Sequence, residues 1–146
     1  MLIAAIARHL TSLGLVDYRP QSDGGDCFVE HLPDQPPAAV LLTSTGGAFQ
    51  ASRLPHDHPT FQVLVRADRF QAPESHDRAD EIRGALNGLD GLLLAPGTPD
   101  EVWLVGLTCP HPPVSIGRDD LERPRHTINA QATIHAPSPH RPPITV

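Results

Sequence analysis

A His-Asp-His triplet at residues 56–58 sits inside LPHDHPTFQVLVRAD, Leu54 to Asp68, directly ahead of a stretch that alternates like a β-strand. Histidines one residue apart on extended chain point to the same face, so His56 and His58 have the spacing to grip a single ion. A zinc enzyme asks for more: about three protein ligands, an open position and a group that handles protons. The remaining histidines, His9, His31, His76, His111, His126, His135 and His140, are scattered, and the chain carries neither an HExxH nor a Cys-x-x-Cys signature. Pro55 and Pro59 bracket the triplet, which therefore reads as polar loop residues whose backbone need not aim both imidazoles at one point. No metal ligand is assigned, and a small metal-dependent hydrolase stands only as a lesser alternative.

Other reactive groups give no firmer lead. No serine occupies a Gly-x-Ser-x-Gly elbow, and Cys27 lacks a local nucleophile signature, although a distant histidine can approach a cysteine in space. Asp119-Asp120, and Asp77 with Asp80 or Glu81, read as solvated surface, the usual place of adjacent acids in loops and on exposed helix faces. Lysine is absent while 11 arginines carry the positive charge, which removes Walker-type phosphate loops and Schiff-base catalysis. A net charge of −6 with no basic run argues against binding nucleic acid through its phosphates. Trp103, the single tryptophan, lies in an apolar strand and reads as core or subunit contact rather than a platform for bases. The expectation is a protein that is no enzyme, with no catalytic residue, no cofactor and no metal.

The frame that would hold such groups is written in the periodicity. At 146 residues the chain fits one domain, which buries about two-thirds of the surface its unfolded chain exposes. A hydrophobic content of 39% is globular, while 17 prolines point to short elements and many ordered loops. Cys27 and Cys109 have no local pair spacing and read as reduced thiols, though a bridge between distant strands stays open. Arg8 and His9 break the N-terminal apolar run, so no signal peptide is expected, and no stretch reaches transmembrane length.

Leu2, Ile3, Ile6, Leu10 and Leu13 recur at intervals of three and four, predicting a helix over about 2–13 that Gly14 stops and whose solvated face carries His9. A loop over Tyr18 to Asp26 leads to a short strand around Cys27 to His31. Pro33, Pro36 and Pro37 follow, then an apolar strand from Ala39 to Thr43 that ends in a turn at Thr45-Gly46-Gly47. Phe61, Val63, Val65 and Ala67 share one face of the next strand, and Thr60, Gln62, Leu64 and Arg66 the other. Ser75 is placed as the cap of a second helix, with Asp77 in its first turn, Ile82, Ala85, Leu86 and Leu89 as its stripe and Asn87-Gly88 as its stop. Leu92 to Ala95 and Val102 to Thr108 read as a hairpin around Pro96 to Asp100. A loop through Gly117-Arg118-Asp119-Asp120 then reaches the last strand, His126 to Ile134. Its residues His126, Ile128, Ala130, Ala132 and Ile134 face the core, and Arg125, Thr127, Asn129, Gln131 and Thr133 face water. No internal repeat is found. The expected fold is α+β, two helices packed on a mainly antiparallel β-sheet, as a single domain over 1–135 followed by a Pro-rich extended tail over 136–146 that orders only against something else.

Taken in order, LTSLGLVDYRP, HLPDQPPAAVLLTSTGG, SRLPHDHPTFQVLVRAD, RADEIRGALNGL and PVSIGRDDLERPRHTINAQATI resemble the tail terminator proteins of long-tailed, siphovirus-type bacteriophages, also called bacteriophage minor capsid proteins. The likeness spans almost the whole chain up to the tail. In such proteins the loop ahead of the central strand commonly reads Arg-Leu-Pro, two or three polar residues and Pro. Arg53-Leu54-Pro55-His56-Asp57-His58-Pro59 is similar to that loop, with its histidines at variable places. The resemblance implies a structural role in the virion: a hexameric ring at the neck that caps the tail tube, ends its polymerisation and provides the surface for head-tail joining. Its partners would be other copies of the chain, the major tail tube protein and the head-tail connector or head-closure protein, without a membrane and with the host cytoplasm as the place of assembly. Six copies at −6 each carry about −36, so DNA would pass through the lumen without specific binding. A ring needs a heterologous interface that closes on itself, for which sheet edges and loops are suited. The strand His126 to Ile134 is the candidate edge, and Arg118, Asp119, Arg125, Thr127, Asn129, Gln131, Pro137 and Pro139 are the candidate subunit contacts. A head-closure or other tail-completion protein is the alternative.

Overall fold

A computed structural model describes residues 1–22, 24–47 and 54–137. α1 spans Leu2–Ser12 and buries Ile3, Ile6, Ala7 and Leu10 along one stripe and, with the sheet closed around it, Ala4 and Ala5 as well. It stops where Gly14 takes a φ of +75°, a conformation glycine adopts without steric cost. His9 is half-buried rather than solvated, and burial draws its imidazole below the ordinary range.

Among the described residues eight strands follow with one helix between them: β1 Cys27–Val29, β2 Ala39–Gly47, β3 His56–Asp57, β4 Pro59–Arg66, α2 Ala72–Leu86, β5 Asp90–Leu94, β6 Val102–Thr108, β7 Val114–Arg118 and β8 Pro124–His135. They form one sheet in the order β1-β2-β4-β8-β6-β5, with β3 and β7 also paired to β8. Among the described strands β1 and β2 run parallel and the other strand pairings are antiparallel, with one further parallel bridge between Tyr18 and Cys27. The fold is α+β, with a mixed and mostly antiparallel sheet. α1 touches β1 and β2 at one end of the strand order and β5 at the other, so the sheet curls around the helix. α2 lies on the same side against β4 and β8. Phe61, Val63 and Val65 of β4, Ile128, Ala130 and Ala132 of β8, and Leu104 of β6 meet Ile6 and Leu10 of α1 and Ile82 and Leu86 of α2 in one core.

The β4 face, the β5–β6 hairpin and most of both helices' stripes follow the sequence expectation, but Leu13 is exposed just past the end of α1 and Leu89 lies beyond the end of α2. Five placements differ. Thr45-Gly46-Gly47 is no turn: β2 runs on through a bulge between Ser44 and Gly46, and Gly47 lets the backbone pass so close to His58 that a Cβ there would stand 2.5 Å from the His58 carbonyl oxygen. α2 begins a turn earlier than Ser75, at Ala72 with Pro73 in its first turn, because proline fits where helix N–H groups have no partner. Gly117-Arg118 belongs to strand β7 rather than to a loop, and β3 interrupts the loop at His56. Most consequential, β8 is no edge. β4 and β3 flank one side of it, β6 and β7 the other, so most of its backbone groups already have partners.

Candidate functional site

The histidines of the triplet are drawn across to β8 rather than towards each other. His56 pairs with His135, their rings edge to face with centroids 5.7 Å apart. His58 Nδ1 lies 3.1 Å from Thr133 Oγ1, and Asp57 stands opposite Ile134. Among the described residues no group of three or more His, Cys, Asp or Glu side chains is arranged to hold a metal ion.

Ser75 and His126, 51 residues apart, form a buried pair that sequence reading did not foresee. Ser75 Oγ lies 3.1 Å from the Val65 carbonyl oxygen, which can only accept, so the hydroxyl donates there. His126 Nδ1, 2.8 Å from the same Oγ, must then be the donor to it. A nucleophilic pair requires the reverse, an imidazole that takes the hydroxyl proton, so this contact ties α2 to β4 and β8 without activating serine. Both cysteines are buried and free, and burial pushes the thiol of Cys27 up to about 12 and that of Cys109 up to about 11. Thiols held so high carry almost no thiolate near neutrality.

A second polar cluster holds the proline loop. Alternation assigns Arg66 to a wet face, yet it is buried because residues 33–37 fold over it. Its Nε and Nη2 donate to the carbonyls of Pro37, Pro36, Pro33 and Asp34. Prolines offer no N–H, so such a loop cannot bond itself and takes donors from a neighbour. Buried Arg123 adds a bond to the Asp34 carbonyl at 2.6 Å and pairs through Nε with Asp119 Oδ2 at 2.7 Å.

The candidate contact residues separate on these coordinates. Asp119 organises its own turn, accepting from the backbone N–H groups of Leu121 and Arg123 as well as from the Arg123 guanidinium. Thr127 is buried rather than wet, sitting in register between Leu64 and Val114. Arg125 reaches the Ile116 and Arg118 carbonyls with long bonds through Nη2, while its Nε is buried with no partner among the described residues. Arg118 is exposed and paired with Glu122 at 2.9 Å. Asn129, Gln131 and Pro137 are exposed, and Pro139 lies outside the described residues, as do Arg53 and the tail beyond Pro137.

The face of the sheet turned away from the helices is polar but uncharged along its middle, where Thr43, Thr60, Gln62, Thr108, Asn129, Gln131 and Thr133 meet in register. Its ends are apolar. Leu93 and Trp103, paired across β5 and β6, are exposed with Val105 at one end, and Val114 and Ile116 of β7 at the other.

Among the described residues, no helix is long and apolar enough to cross a membrane. No curated protein matches the chain. The family model described as bacteriophage tail terminator protein matches residues 9–135.

Proposed function

This chain belongs to the bacteriophage tail terminator family, and from that premise we propose that six copies close into a ring that caps the tail tube, ends its polymerisation and offers the surface on which the head connector docks. The family is a structural one of the phage tail, and the match over residues 9–135 is the observation that carries this reading. A ring stops growth when its outward face differs from the face it covers, so that the next tube subunit finds no matching edge. No bond is made or broken in that act. The partners are then other copies of the chain, the tube protein and a connector or head-closure protein, met in the host cytoplasm. At −6 per chain the lumen lets DNA slide through rather than holding it. Of the contact residues named from sequence, Arg118, Asn129, Gln131 and Pro137 present exposed side chains for these meetings.

Deleting the gene in its phage and imaging the particles tests the proposal. Overlong tails without heads are the expected product. Tails of normal length beside full heads that leak their DNA would instead assign the chain to head closure.

A further inference from the structure

The spacing that first suggests His56 with His58 is not the imidazole pair that the fold makes. We propose that His56 and His135 form a two-nitrogen clamp for a late divalent transition metal, Cu²⁺ or Zn²⁺, across the β3–β8 pair, with water filling the rest of the coordination shell. The clamp is independent of the ring reading, and neither depends on the other.

β3 continues the β4–β8 ladder without a shift of register, which sets His56 opposite His135 and, two residues on, brings His58 to Thr133. The Ala136 N–H donates to the Pro55 carbonyl at 2.7 Å, so those two residues are a hydrogen-bonded pair and the next pair, His56 with His135, is a non-hydrogen-bonded one. In such pairs the Cα atoms approach to about 4.5 Å and the side chains stand closest. The two rings accordingly have centroids 5.7 Å apart. Metal–imidazole bonds of about 2.0–2.1 Å, added to the radius of each ring, put two imidazoles that share one ion at about 5–6 Å between centroids. The ring planes cross at 71°, an angle that ligation through nitrogen leaves free.

Among the described residues the hydrogen-bonded imidazoles are those of His58, His76 and His126, so His56 and His135 keep their nitrogen lone pairs for another ligand. Neutral imidazole suits zinc, copper and nickel, whereas magnesium and calcium take oxygen. His58 shares the face of His56 but is turned to Thr133, and Asp57 alternates to the opposite face. Among the described residues no third His, Cys, Asp or Glu joins the pair, which is why water completes the shell. The ion would also strengthen the fold locally. β3 is two residues long, and Pro55 and Pro59 beside it supply no N–H, so this stretch of ladder is short of backbone bonds. A metal across His56 and His135 adds a tie between side chains where the backbone offers few.

Trp103, the single tryptophan, pairs with His135 from the other side of β8 and so reports on the site. Cu²⁺ held by His135 should quench its emission. Cu²⁺ at the other close imidazole pair, His76 with His126, should not, because His126 lies about 30 Å along β8 from His135 on extended chain. The untagged full chain is titrated near neutral pH with Cu²⁺, read by Trp103 fluorescence, and with Zn²⁺, read by calorimetry. The wild type should bind one ion per chain and saturate below about 1 mM. His56→Ala and His135→Ala, at half-buried positions where the fold should survive, should each weaken binding about a hundredfold, since either loss ends the chelate. His58→Ala should bind as the wild type does. Zn²⁺ should raise the melting temperature of the wild type and of His58→Ala but not of the other two variants. No saturable binding, binding that survives His135→Ala, binding lost in His58→Ala, or bound Cu²⁺ that leaves Trp103 emission unchanged would overturn the clamp.

Discussion

Replacing Arg66 by methionine should cost the fold about 3 kcal/mol. The side chain is 4% exposed, and it donates to the carbonyls of Pro36, Pro37, Pro33 and Asp34 at 2.7, 2.8, 2.9 and 3.3 Å. Methionine keeps much of the apolar stem and none of the donors. A bond from a charged donor contributes about 1.5–3 kcal/mol, and three of these four are short, so simple addition would exceed 6 kcal/mol or so. Addition overstates the loss, because Asp34 and Gln35 are exposed and the freed carbonyls regain water once the loop lifts. What does not return is the ordering of residues 33–37 and the footing of Arg123, whose Nη1 holds the same loop. At about 3–4 °C per kcal/mol for a chain of this size, the melting temperature should fall by about 10 °C. Urea unfolding should show a lower midpoint with an unchanged slope. Arg66→Lys should recover less than half of the loss, since an ammonium presents its donors from a single point. A loss under about 1 kcal/mol in Arg66→Met, or full stability in Arg66→Lys, would refute the reasoning.

Three further outcomes follow from the same contacts. Burial raises the Asp119 carboxyl, but the N–H and guanidinium of Arg123 and the N–H of Leu121 outweigh it and leave the group below the usual carboxylate range. Its contribution is complete above about pH 4 and is lost as pH falls through the folded pKa, so Asp119→Asn should lower stability at pH 7 by about 2–4 kcal/mol and flatten the acid limb in calorimetry. Burial, and to a lesser extent neighbouring His76, hold His126 below the ordinary imidazole range, so its neutral form is the one the fold favours. That contribution is present above about pH 6.5 and fades as pH falls through the folded pKa; His126→Asn, which keeps a donor for Ser75, should lose less melting temperature than wild type between pH 7 and 5, and an equal loss counts against the pairing. Cys27 and Cys109 should ignore an aromatic disulfide reagent at pH 8 until guanidinium unfolds the chain, when both react; prompt reaction in buffer contradicts their burial.

What the sequence made legible depended on where a residue's partners lie. β4 could be read from its own alternation, because Phe61, Val63 and Val65 all enter one core and need no other segment to explain them. Arg66 breaks that pattern for a reason written 30 residues away: a loop too rich in proline to bond itself. The three prolines were visible, but not which donor they would recruit. β7 escaped notice since VSIGR is short and fully exposed, so no period marks it, and only its pairing with β8 makes it a strand. Ser75 has the chemistry of a helix cap and acts instead inside the helix, where Val65 and His126 use its hydroxyl. The bracketing prolines hid β3 in the same way, because its partner is the far end of β8.

The clearest strand in the sequence proved to have both of its lateral edges already paired, and there is a physical reason for that. Alternation reports which face of a strand is buried; it carries no information on the two lateral edges, whose bonds belong to the backbone. A strand flanked on both sides and packed on one face meets constraints along its whole length, so its pattern comes out regular, as in β8. A surface kept open for a partner shows the opposite mark: apolar side chains where the local pattern calls for polar ones. Val114, Ile116 and Phe70 at one end of β8, and Leu93, Trp103 and Val105 at the other, are such departures. Within a monomer they are defects, each leaving apolar surface in water. Exposed apolar groups are where a partner would gain most by covering surface, so the contacts proposed for this chain are better sought in the segments that break their own period than in those that keep it.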